Sequence, residues 1–107
     1  MKLKPLKTLS ATVHLGILTE GWNLTSPFVE GGGDIRVFRF QVYFGEPFDV
    51  SPVVHLGLAG FDIDQRDSGR LILNTTEITP AGFIAEISTW HETRVYAVAF
   101  SWLALGT

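Results

Sequence analysis

The sequence predicts an all-β fold, an antiparallel sandwich or barrel folded as one domain of 107 residues. Two observations carry this expectation. Short apolar runs recur along the whole chain, and none sustains 3.6-residue periodicity over the length of a helix. The breaks between them are short and carry turn chemistry, at residues 31–34 (three glycines and an aspartate), 45–47, 67–69, 79–82 and 91–93. Strands separated by such connections, with no helix between them, pair antiparallel.

The strands are expected, in order, at residues 11–18, 35–44, 53–58, 70–78, 83–90 and 94–105, with residues 1–10 as a lead-in and 11–107 as the domain. The first is preceded by all three lysines (Lys2, Lys4 and Lys7), a basic start that mimics a secretion signal. Pro5 and His14 interrupt that pattern, and no small-residue cleavage site follows. In the fifth strand Phe83, Ala85, Ile87 and Thr89 share the core face, which puts Trp90 at the strand's end on the wetter face. The sixth is apolar on both sides: Val95, Ala97, Ala99 and Leu103 on one, Tyr96, Val98, Phe100 and Trp102 on the other. A strand apolar on both faces is covered on both, and a second copy of the chain is the expected cover.

Composition narrows the function classes. Hydrophobic residues make up 46% and charged residues 18%, the opposite of a disordered chain. There are no cysteines, which excludes disulfides, thiolate metal sites and a cysteine nucleophile. No apolar run approaches the roughly 20 residues that span a bilayer. Beyond Lys7, five arginines stand against eleven acids over the chain, a balance that argues against nucleic acid. Compartment stays open, cytosolic or extracellular.

Hairpin register gathers the candidate residues. With a turn at 79–82, Ile78 opposes Phe83 and the ladder carries Arg70 opposite His91. Arg70, Trp90, His91 and, one turn later, Tyr96 then share one end of the sheet. An arginine, aromatic faces and an imidazole suit a small hydroxyl-rich ligand, and carbohydrate fits.

The stretch Pro80-Ala81-Gly82-Phe83 … Thr89-Trp90-His91-Glu92-Thr93-Arg94-Val95-Tyr96 … Ser101-Trp102 resembles the H-type lectin family, with Pro52-Val53-Val54, Phe61-Asp62-Ile63-Asp64 and Arg70 in register without gaps. The resemblance covers about the C-terminal two thirds of the chain. It implies a six-stranded antiparallel β-sandwich that assembles as a homotrimer and binds terminal galactose or N-acetylgalactosamine near subunit boundaries, without catalysis, cofactor or metal. It implies Asp34 as the aspartate that accepts from sugar hydroxyls, Gly33 as a backbone contact, Arg70 as the arginine gripping the ring hydroxyls, and the pair Trp90 and His91. Tyr96 matches a tyrosine supplied by a neighbouring subunit. Ile87 stands where a disulfide-bearing relative has a cysteine. The alternative is a trimeric structural or host-attachment module without sugar affinity.

Duller roles compete at several positions. Asp34 can serve the turn alone, Tyr96 an interface, and Trp102 the core or the trimer seam. His14 and His55 sit in apolar strands and read as structural. The acids of 62–67 hint at calcium, but Arg66 stands where a calcium loop needs a ligand. Glu86 and Glu92 show no spacing that demands a glycosidase pair. Asn23-Leu24-Thr25 and Asn74-Thr75-Thr76 match the glycosylation triplet, which chance supplies often.

Overall fold

A computed structural model of the chain describes residues 5–26, 34–66 and 68–107. They form six strands: β1 (Lys7–Gly16), β2 (Arg36–Tyr43), β3 (Val53–Ile63), β4 (Ile72–Thr76), β5 (Gly82–Thr89) and β6 (Val95–Gly106). Two three-stranded antiparallel sheets result, ordered β1-β6-β3 and β2-β5-β4. The fold is an antiparallel β-sandwich. Gly31, Gly32, Gly33 and Asp67 lie outside the described residues. No helix among those described is long and apolar enough to cross a membrane.

The core follows strand alternation. β5 buries Phe83, Ala85, Ile87 and Thr89 completely, the face the sequence predicts. Phe44, Phe83 and Trp102 pack with ring centroids 5.6–5.9 Å apart, and Phe48 closes edge-on against Phe44 at 5.1 Å. This aromatic cluster fills one end of the sandwich. There the β4–β5 turn is closed by Thr79 N–H donating to the Gly82 carbonyl at 2.8 Å. Gly82 has no tolerance for a side chain, because a Cβ would lie 2.2 Å from the Val42 carbonyl oxygen on the paired strand.

Strand bounds shift, with β1 starting at Lys7 within the expected lead-in and β3 running on to Ile63, and two further details depart from the sequence reading. The β4–β5 ladder pairs Ile72 with Ser88 and Thr76 with Ile84, one residue off the expected register. The cause is local: Glu77 adopts a left-handed φ of 49°, and residues 77 and 78 leave the ladder before the turn. In β6 the inward residues are Val98, Phe100, Trp102 and Ala104. Val95 is also fully buried, because the pairing with β3 slips between Asp62 and Ile63 and reverses the alternation at the strand's start. The outward face of β6 is therefore small, made of Ala97, Ala99 and Ser101 with Leu103 beyond. Trp102 is core, and the bulky apolar surplus of the strand is consumed inside the sandwich.

Antiparallel order brings three connections to the other end. β1 and β3 finish there, β5 finishes there, and β2, β4 and β6 begin there, as the pairs Arg36–Thr89, Gly16–Ala97 and Ile63–Val95 record. His14 and His55 are exposed on the outer face of the β1-β6-β3 sheet, opposite Ala99 and Leu103.

Candidate functional site

The loop end is organised around a buried arginine. Residues 36, 38, 40 and 42 of β2 take the inward positions, and the first of them is Arg36, 3% exposed among Phe38 and Val42 in the same series. Its Nη2 donates to the carbonyls of His91 at 2.7 Å and Thr93 at 2.8 Å, and its Nη1 to those of Ser26 and Leu24. Burial pushes the guanidinium below its ordinary pKa, while Glu92 and Asp34 pull it back up. One side chain thus ties the segment after β1 to the β5–β6 connection. That segment is held independently: Trp22 Nε1 donates to the Val95 carbonyl at 2.9 Å, Val95 N–H to the Leu24 carbonyl at 2.7 Å, and the Trp22 ring packs on Phe38 at 4.9 Å.

Asp34 and His91 meet directly. His91 Nδ1 lies 2.5 Å from Asp34 Oδ2, and both side chains remain about half exposed. A carboxylate oxygen only accepts, so Nδ1 carries a proton and donates it to Asp34 Oδ2. His91 has φ 55°, a left-handed conformation that aims its ring toward Asp34 while its carbonyl turns to Arg36.

Arg70 joins this group through Thr93. Arg70 Nη1 donates to Thr93 Oγ1 at 2.9 Å, and Thr93 Oγ1 donates to the Ser68 carbonyl at 2.6 Å. Thr89 Oγ1 in turn donates to the Arg70 carbonyl at 2.6 Å. Trp90, partly exposed, stands between the end of β5 and His91.

Tyr96 is engaged elsewhere. Its hydroxyl donates to Asp64 Oδ2 at 3.3 Å, and Asp64 is gripped by Arg66 through Nε (2.9 and 3.1 Å) and Nη2 (2.5 Å). The hydrogen bonds from Arg66 and Tyr96 hold the Asp64 carboxyl well below the usual carboxylate range. Asp64 and Arg66 line an open groove of about 260 Å³ with Glu92 and Arg94. Asp64, the calcium candidate of the acidic stretch, is committed to these partners, and no group of three metal-ligating side chains occurs among the described residues.

Of the residues singled out in the sequence, Asp34, Arg70, Trp90 and His91 lie at this end, whereas Tyr96 is directed to Asp64 within its own chain and Gly33 lies outside the described residues. Sequence reasoning missed Arg36, Thr93 and Trp22. Arg36 had a signal: it occupies the apolar register of β2, a position where an arginine needs a reason.

Comparison with known proteins agrees with this fold. Residues 39–105 match the H-type lectin domain family. The "ATP synthase subunits region ORF 7" protein of Fuscovulum blasticum is 37% identical over 89 residues, 78% of this chain and 77% of that protein. Two structures of discoidin II from Dictyostelium discoideum superpose with TM-scores of 0.78 and 0.74, at 24% and 22% identity over 94% of this chain. The chain spans only 37% and 36% of those discoidin chains.

Proposed function

The chain belongs to the H-type lectin family, a non-catalytic family, and from that premise we propose that it is a carbohydrate-binding domain for galactose- and N-acetylgalactosamine-type sugars. The observation that carries this is that Asp34 pairs with His91 at one loop end while Arg70 is hydrogen-bonded to Thr93, two residues along the same connection. A carboxylate beside a guanidinium accepts from one sugar hydroxyl and donates to its neighbour, and the angle between the two separates axial from equatorial epimers. Trp90 supplies an apolar face for the ring's C–H surface. Gly33 lies outside the described residues, and its backbone contact is what the family resemblance implies.

In this reading the domain is a homotrimer joined through the outer face of the β1-β6-β3 sheet. Ala97, Ala99 and Ser101, beside Gly57 and Gly60 of β3, make a surface low enough for another backbone to approach closely. Tyr96, whose hydroxyl rests on Asp64 of its own chain, is in this reading the residue offered to the sugar site of a neighbouring copy. Each site is weak, and three acting on one glycan-bearing surface raise avidity.

A glycan array tests the reading. Signals confined to galactose- and N-acetylgalactosamine-terminated ligands, lost in Arg70→Ala and Trp90→Ala variants that remain folded, are the expected result. Silence across all such ligands instead favours a trimeric attachment module without sugar affinity.

A further inference from the structure

We propose that Arg36 and Thr93 are positioning residues for this site: Arg36 fixes the backbone that presents His91, and Thr93 orients the guanidinium of Arg70. The assignment rests on the carbohydrate reading of the site.

An arginine on the inward register of a strand carries a desolvation cost that an apolar residue would avoid. Arg36 offsets it by collecting carbonyls from two segments remote in sequence, residues 24–26 and 91–93. His91 is thereby held from both sides. Its ring is bound by Asp34 and its carbonyl by Arg36, two residues further along the same segment. The left-handed conformation of a non-glycine residue persists only where its surroundings over-determine it, and these two contacts do so.

Thr93 extends the brace to Arg70. It is fully buried, and its carbonyl is taken by Arg36. A hydroxyl has a single proton, which here is committed to the Ser68 carbonyl, so its lone pairs face Arg70 Nη1. Arg70 Nη1 is held between that acceptor at 2.9 Å and the Ser68 carbonyl at 3.3 Å, the same carbonyl that Thr93 Oγ1 binds, so Thr93 fixes both the shorter contact and its neighbour. Recognition of sugar hydroxyls depends on donors placed before binding, because ordering them on arrival subtracts from affinity.

The test compares Thr93→Val, Thr93→Ser and Arg36→Lys in calorimetric titrations with N-acetylgalactosamine and galactose, with folding checked by circular dichroism. Thr93→Val is expected to bind about tenfold more weakly, while Thr93→Ser returns to within about twofold of the parent because the hydroxyl is restored. Arg36→Lys, which keeps the charge and loses the fork, is expected to weaken binding about tenfold as well. Unchanged affinity in folded Thr93→Val, or a loss in Thr93→Ser as deep as in Thr93→Val, overturns the positioning role. Should Thr93→Val not fold, parent-like affinity in Arg36→Lys overturns it. A parent protein that binds neither sugar overturns the carbohydrate reading itself, and this assignment with it.

Discussion

His91 is held at both of its ends by residues two apart in the sequence: Asp34 takes the ring at 2.5 Å and Arg36 takes the carbonyl at 2.7 Å. The exposed half of this arrangement is available to a ligand and the buried half is not, so the two respond differently to mutation.

Asp34→Ala is expected to weaken sugar binding about tenfold or more, because a charge-assisted acceptor is lost. Its effect on stability stays within about 1 kcal/mol, the range of exposed ion pairs. Titration calorimetry and thermal melts of the same samples check both halves, and a large fall in stability would recast Asp34 as a turn residue.

Phe83→Ala removes a fully buried ring from the aromatic cluster at the opposite end of the sandwich. A loss of about 3–5 kcal/mol in urea unfolding is expected. At temperatures where the variant stays folded, sugar affinity changes little, since the cavity opens far along the strands from His91.

Acid stability depends on Asp64. Its carboxyl is held below the ordinary value of 3.8 by hydrogen bonds from Arg66 and Tyr96. The folded state therefore binds that proton more weakly than the unfolded state. The stabilisation is present in full above the ordinary value and is lost as pH falls from there through the lower folded value. Asp64→Asn is expected to flatten that part of the profile, measured as melting temperature against pH between about 5 and 2. An unchanged profile contradicts the role of the Arg66 grip.

The proposed trimer is sensitive to bulk and charge on the outer face of β6. Light scattering after size exclusion is expected to give three times the chain mass for the parent, and a single chain mass for Ala99→Arg, which places a long cation where a backbone approaches. A monomeric parent at micromolar concentration contradicts the assembly. A trimeric Ala99→Arg moves the interface to another face.

What the sequence determined by itself is what local periodicity and parity can encode. The all-β class, all six strands, the buried face of β5 and the gathering of Arg70, Trp90 and His91 at one end follow from alternation and from turns that return the chain antiparallel. These features survive a one-residue slip, as the β4–β5 ladder demonstrates. The tertiary structure decided what depends on neighbours far away in sequence. β6 became a central strand with β1 and β3 at its sides, which put Phe100 and Trp102 in the core and left a small-residue face outside. Arg36 became the centre of the loop end because the carbonyls it binds come from segments up to 57 residues away. Tyr96 turned to Asp64, 32 residues away, rather than to His91, five residues away. Those outcomes rest on cross-loop hydrogen bonds whose partners only the packed sheets bring within reach, and no periodicity in one strand specifies them.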